Sequence, residues 1–480
     1  MRDRFFSRGH RLTAARLGAA VVVAVLIACD TEKVLQVEDP DVARPEALEG
    51  AAALPTLRAG AIGNFGVAYN GGASDVEQVH LSALVSDEFI NTETFPTRIE
   101  IDQRAMTLVN TSLLGTFFDL TRARASGELA IRTYQESEIT AADSTGFPEV
   151  LALNGFTYIL FAENYCGAVP ISVQQPDGSF TFGAAENTNT LLDSAISKFD
   201  QALAMPGAPI PGAPLTVAFR SLAQVGKGRA LVNKGDYAAA ALAVAAVSTT
   251  FQYNYQHAET SGRQNNGTWA LTVSVGRFGV ANVEAGVGLP YQSEGNLKQT
   301  GTTPDPRVAD SLARRGAAAN PNGFDGATPQ WVQAKYPLRP TAITVADGVE
   351  ARLIEAEAAL ATGDAAGALV ILNALRSNAA LLALRGYPAN SLPPLVLQAT
   401  TAAQVDQLFK ERAYWLFLTS HRLGDLRRLV RQYGRAVNTA FPNGAYFKGG
   451  TYGNNVNVPV PFQEQNNPEY VPGSCVQTQA

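Results

Sequence analysis

The side chains best placed to do chemistry in this chain are aromatic residues in polar stretches. Phe95 sits in the middle of Asn91-Thr-Glu-Thr-Phe-Pro-Thr-Arg98. Trp269 stands in a Gly- and Asn-rich run from Asn265 to Asn282 that also holds Arg277 and Phe278, and Tyr291 follows in the same irregular region. Aromatic faces stack on sugar rings or apolar side chains, while Asn, Gln and Arg supply directed hydrogen bonds. Phe95, Trp269 and Tyr291 are therefore the candidate ligand-binding residues, with core packing the competing role for each. Catalytic signatures are missing. The chain has no Gly-x-Ser-x-Gly elbow and no His-Glu-x-x-His helix, and paired carboxylates among 43 acidic residues decide nothing. His10, His80, His257 and His421 are scattered, with no Cys or His cluster for zinc, so neither a metal nor a cofactor is expected.

Each of the three cysteines has an expected role. Arg2, Arg4, Arg8, Arg11 and Arg16 precede an apolar run of about 12 residues, Leu17 to Ala28. That run is too short to span a bilayer and suits a signal peptide. It ends in Leu26-Ile27-Ala28-Cys29, which resembles a bacterial lipobox. The resemblance implies that residues 1–28 are removed and that Cys29 carries lipid. Residues 29–45, polar and acidic, then form a tether. Asp30 supports two addresses, inner-membrane retention or surface export, and the rest of the chain must decide between them. Cys166 and Cys475 remain, in a compartment that permits disulfides, and pairing would pin the C-terminal tail to the body.

Of the 480 residues, 46% are hydrophobic and 17% charged, enough for a sizeable core. The formal charge of -6 becomes about -10 once residues 1–28 are gone, which argues against nucleic acid as a partner. No other apolar run is long enough to cross a membrane.

The elements that must position the candidate residues are mainly helices. Val349, Leu353, Ala356 and Leu360 share one helical face, and Ala368, Leu372 and Leu375 another. Gly363 can end the first helix in the left-handed conformation and Asp364 can cap the second. Gly228, Val232, Gly235-Asp236 and Ala240 repeat this order and spacing. Small residues at these places suit hairpins of the tetratricopeptide type, which must stack to bury their apolar faces. Helices are also read over 40–66, broken at Pro55, then over 76–89, 101–138, 147–165 and 190–203. A last helical run spans 402–433, divided at Gly424, with Asp425 placed to pair with Arg422 and Arg428. The fold class is mostly α: a superhelix of tetratricopeptide-like hairpins over about 46–248 and 345–435. A loop-rich insertion covers about 249–344, and an extended surface tail 436–480.

Several stretches together resemble the SusD/RagB family of surface lipoproteins. They are the lipobox with Cys29, Tyr165-Cys166-Gly167 before Val169-Pro170, the two Gly-Asp hairpins, Asp305-Pro306-Arg307, and Lys335-Tyr336-Pro337. The strongest is Glu411-Arg412 followed by His421-Arg422-Leu-Gly-Asp425-Leu426, and the Pro459-Val-Pro461 tail also fits. Thr419-Ser420 and Trp415 depart from the family pattern, which weakens any transfer of sugar specificity. The resemblance implies a SusD-like body that binds oligosaccharide or peptide without catalysis. It implies a SusC-type TonB-dependent transporter as partner and an outward-facing, lipid-anchored place on the outer membrane. A repeat scaffold that binds only proteins is the alternative, and a secreted glycan or peptide hydrolase a more distant one.

Overall fold

In a computed structural model of the chain, the described residues are 50–480 except 73–75, 138–145, 176–178, 206–214, 297–302 and 315–318. The signal peptide, Cys29 and the tether lie outside them. The first helix, α1 (Gly50–Asn70), runs through Pro55 without a break. Leu54, Leu57, Ala61 and Phe65 are buried along it, and this packing carries the helix past the missing N–H. The next helix, α2 (Gln78–Val85), stops short of Phe89, because Phe89–Asn91 forms strand β1. The chain then makes α3 (Pro96–Asp102), α4 (Thr111–Glu136), α5 (Phe147–Asn164), α6 (Thr188–Ala204), α7 (Leu215–Lys234) and α8 (Tyr237–Val244).

The insertion leaves and returns through a narrow neck. Strand β2 (Gln252–Tyr255) pairs antiparallel with the strand that ends the insertion, Ile343–Asp347. Between them, β3 (Phe278–Val280) pairs with β1, and β4 (Asp310–Leu312) with β5 (Trp331–Gln333). With the closing strand as β6, the chain continues into α9 (Gly348–Ala361), α10 (Ala365–Ser377) and α11 (Ala379–Leu384), then α12 (Thr401–Trp415) and α13 (Arg422–Arg431).

The two Gly-Asp hairpins are α7–α8 and α9–α10. Gly235 and Gly363 both take positive φ, 82° and 90°, where a Cβ would be strained. Asp236 and Asp364 then cap the following helices through the amides of Ala239 and Gly367. Closing the neck brings α8 against α9, so hairpins far apart in sequence stack directly, in one run from α5 through α10. This is the mostly helical, tetratricopeptide-like architecture.

The run 402–433 is divided at 416–421, not at Gly424. Leu418 and Ser420 take positive φ in that turn. Gly424 lies inside α13, where a Cβ would stand 2.9 Å from the Glu163 carboxyl carbon; its smallness lets α13 approach α5. Asp425 pairs with Arg428, as its spacing suggests, and with Arg412, both at 2.9 Å. Arg422 turns away to hold Asp87 in a two-point pair at 2.7 and 2.9 Å. The tail is also not simply a surface strap. Val456, Val458 and Val460 are buried, and Val458 bridges to Tyr165 in parallel. A disulfide joins Cys166 to Cys475 across 309 residues and fixes the end of the tail.

Candidate ligand-binding site

Four separate stretches converge around Phe95. The pairing of β1 with β3 sets residues 92–95 beside Arg277, whose carbonyl accepts from the Thr92 amide at 2.8 Å. Phe95 precedes α3, and Pro96 begins that helix with its φ already suited to it. The loop 320–328 packs on the same place: Phe324 N donates to Gly276 O at 2.8 Å and Asp325 N to Thr92 O at 3.0 Å. From the C-terminal region, Lys448 Nζ donates to Glu93 O at 2.6 Å and to Asp325 Oδ2 at 2.7 Å.

The result is a platform of aromatic rings and cations. The Arg277 guanidinium lies between two rings, 4.6 Å from the centre of Phe95 and 4.4 Å from that of Phe324. Arg98 sits 5.3 Å from Phe95 on its own helix. Beneath them, Glu93 is fully buried and accepts from both Arg277 and Arg98. That carboxylate fixes the two guanidinium planes, so their order is already set before a ligand arrives. Phe95 is 43% exposed, Phe324 50% and Phe447, beside Lys448, 43%. Exposed rings are ordinary one at a time, but Phe95 and Phe324 flanking one guanidinium form a cluster suited to a contact surface. Burial pushes the Asp325 carboxyl up, but hydrogen bonds from Lys448, Thr328 and Ala327 outweigh it and hold the group below its ordinary range. Both carboxylates of the platform are thus engaged by donors, and what faces outward is mainly the rings, with the Arg277 side chain 18% exposed beside them: a surface that can stack on a ring-shaped ligand.

The three candidate residues part company here. Phe95 is at the centre of the platform. Trp269 is half-buried at the neck of the insertion, with the Arg339 guanidinium 5.1 Å over its ring and its amide capped by Asn266. Tyr291 is fully buried, its ring packed at 5.4 Å from Tyr414 and 5.1 Å from Phe417, so it is a core residue with no face for a ligand. Phe324 and Phe447 were not singled out from the sequence. Both stand in Gly-containing loops, Gly323-Phe-Asp-Gly326 and Ala445-Tyr-Phe-Lys-Gly449, a signal that Phe95, in a polar stretch without glycine, does not share. Among the described residues no helix is long and apolar enough to cross a membrane.

No protein-family model and no curated protein matches the sequence. Solved structures do match the fold, and they are SusD-like proteins. A SusD-like carbohydrate binding protein from Bacteroides fragilis aligns with a TM-score of 0.60 at 14% identity, over 88% of this chain and 99% of its own. A SusD superfamily protein from Parabacteroides distasonis aligns at 0.59 with 13% identity, over 87% and 97%. A SusD homolog from Bacteroides thetaiotaomicron aligns at 0.58 with 13% identity, over 82% and 88%. The fold of this chain is that of the SusD superfamily.

Proposed function

We propose that this chain is a non-catalytic, lipid-anchored binding protein of the outer membrane. It captures an oligosaccharide, or another nutrient with a comparable flat face, and passes it to a TonB-dependent transporter beneath. The observation that carries this reading is the Arg277 guanidinium held between the exposed rings of Phe95 and Phe324 above a buried glutamate. A ring presented to water beside a fixed donor is the arrangement that sugar recognition requires. Support also comes from the fold, since one protein that shares it is described as SusD-like carbohydrate binding. The lipobox at Cys29 supports the anchor, and the shared fold favours the surface-export reading of Asp30 over inner-membrane retention.

The test is calorimetry of the body, residues 30–480, against panels of glycans and peptides, with a Phe95→Ala/Phe324→Ala double variant alongside. The variant should weaken glycan binding by roughly tenfold to a hundredfold, the worth of two stacked rings, and leave the melting temperature nearly unchanged. Peptide binding alone would keep the uptake role and change the nutrient. Binding to neither panel would sink the reading and leave a scaffold for proteins.

A further inference from the structure

A second concave site lies where the insertion meets the α9–α11 region, built partly from Lys335-Tyr336-Pro337, a motif the platform does not use. It is a cavity of about 440 Å³. Lys335 and Arg385 both line it, and Tyr387, Leu384, Ala309 and Ala342 give it apolar walls.

The hydrogen bonding in that wall is incomplete. Arg385 pairs with Asp347 through one guanidinium nitrogen, while its Nε is buried without a hydrogen-bond partner. The other oxygen of Asp347 is spent on the Glu350 amide, at the start of α9. Arg307 also borders the cavity, but its guanidinium is consumed by Asp305 and Glu411. Glu88 also acts on Lys335, and burial drives its carboxyl up to about 8. Lys335 Nζ donates to the Phe417 carbonyl, a neutral partner. Lys335 and Arg385 thus line one concave space of small-molecule size, with the Asp347 and Glu350 carboxylates behind them and the Arg385 Nε left without a partner among the described residues.

We propose that this cavity binds a small carboxylate, with Lys335 and Arg385 holding the anion and the ligand's apolar body against Tyr387 and Leu384. The idle Arg385 Nε is what the ligand satisfies. Binding is coupled to protons. Burial pushes the Lys335 amine down to about 7, and Arg385 adds to this against the opposing pull of Asp347 and Glu88. An incoming anion favours the charged amine, so binding takes up a proton, and affinity falls as pH rises, roughly tenfold between pH 6 and 8.

The experiment is calorimetry on the full chain in detergent with glucuronate, glucose and inorganic phosphate at pH 6 and pH 8. Glucuronate should bind and glucose should not, with the fall in affinity at pH 8 just given. Lys335→Met should cost at least tenfold. Ala342→Phe, which fills the cavity and leaves every charge in place, should cost as much, with circular dichroism confirming that both variants are folded. The Phe95→Ala/Phe324→Ala variant should bind glucuronate normally, which separates this site from the platform. Failure of glucuronate to bind, equal binding of glucose, or full binding by Ala342→Phe would overturn the proposal. So would phosphate binding as well as glucuronate, because a bare anion needs no apolar wall.

Discussion

At the joint between α12 and α13, Arg412 and Arg428 are buried and surrounded by carboxylates. Asp425 and Glu357 lie between them, and Asp425 is 2.9 Å from each arginine. Around Phe95 the arginines are paired below and stacked against open rings above. The residue types are the same and the outcome differs with solvent. In the joint Arg412 reaches Asp425 on α13 and both arginines reach Glu357 on α9, so the charges lock α12 and α13 to α9. At the platform Glu93 takes one edge of Arg277, and the guanidinium lies against the exposed rings of Phe95 and Phe324. Full burial makes an arginine–carboxylate pair a bolt between helices; under open rings, with Arg277 18% exposed, the same pair orients a cation at the surface.

The sharpest way to break this comparison is to remove a bolt. Arg412→Ala would leave Asp425 and Glu357 to share Arg428 alone, inside a site from which water is excluded. Truncating one partner of a buried pair costs about 3–5 kcal/mol. Denaturant unfolding should show a loss of that size, while glycan affinity of the folded fraction stays unchanged. A loss under about 1 kcal/mol would mean that these pairs behave like surface pairs and that the joint is held by its apolar contacts.

A smaller effect tests what a buried carboxylate does when no cation is supplied. Asp310 is buried, the Asn296 amide donates to its backbone carbonyl at 3.1 Å, neither carboxyl oxygen has a hydrogen-bond partner among the described residues, and burial raises the carboxyl to about 8. The folded chain therefore holds a proton that the unfolded chain releases near the ordinary value of 3.8. Its contribution to stability is present below that value and is lost as pH rises toward 8. Asp310→Asn should be free of this loss. Relative to the parent it should gain about 1 kcal/mol or more on going from pH 5 to pH 8, read from unfolding midpoints at the two pH values. A parallel shift of both proteins would show that the carboxyl is ionised in the fold.

Much of the scaffold was legible because its signals are local. Gly363-Asp364 carries a helix stop and a helix cap in two residues, and Gly235-Asp236 repeats them. The neck announced one of its strands in the alternation of Phe251 to Tyr255. The platform is legible only in the stretch holding Phe95, Glu93 and Arg98, because Arg277, Phe324 and Lys448 arrive from more than 170 residues away, partly through the β1–β3 pairing. Tyr291 misled for the converse reason. It stands in an irregular stretch of sequence, yet α12 and the turn after it close over the ring. Gly424 was read as a break because a glycine in a helix usually weakens it; the approach of Glu163, a long-range contact, is what requires it.

The smallest predicted effect is the finest test, and it falls on Trp269. Its ring, like that of Phe95, carries an arginine, Arg339, at 5.1 Å. The two cation–ring pairs differ in setting. The Trp269 backbone is fixed by Asn266 and by Gly267, where a Cβ would stand 2.3 Å from the Gly71 carbonyl oxygen, so the indole is clamped where the insertion packs on the end of α1. No buried carboxylate aligns Arg339, which is exposed, in the way Glu93 aligns Arg277. Without that underlying anion the guanidinium is free to leave the ring, and such a pair is worth only about 0.5–1 kcal/mol. Trp269→Phe keeps an aromatic plug at the neck and removes only the indole. Glycan affinity should then change by less than about twofold, well under 1.4 kcal/mol, in the same calorimetry that registers the Phe95→Ala/Phe324→Ala loss. A tenfold loss would carry the platform down the insertion to Trp269, and exposure of the ring, not a carboxylate beneath its cation, would then decide where this fold takes hold of a ligand.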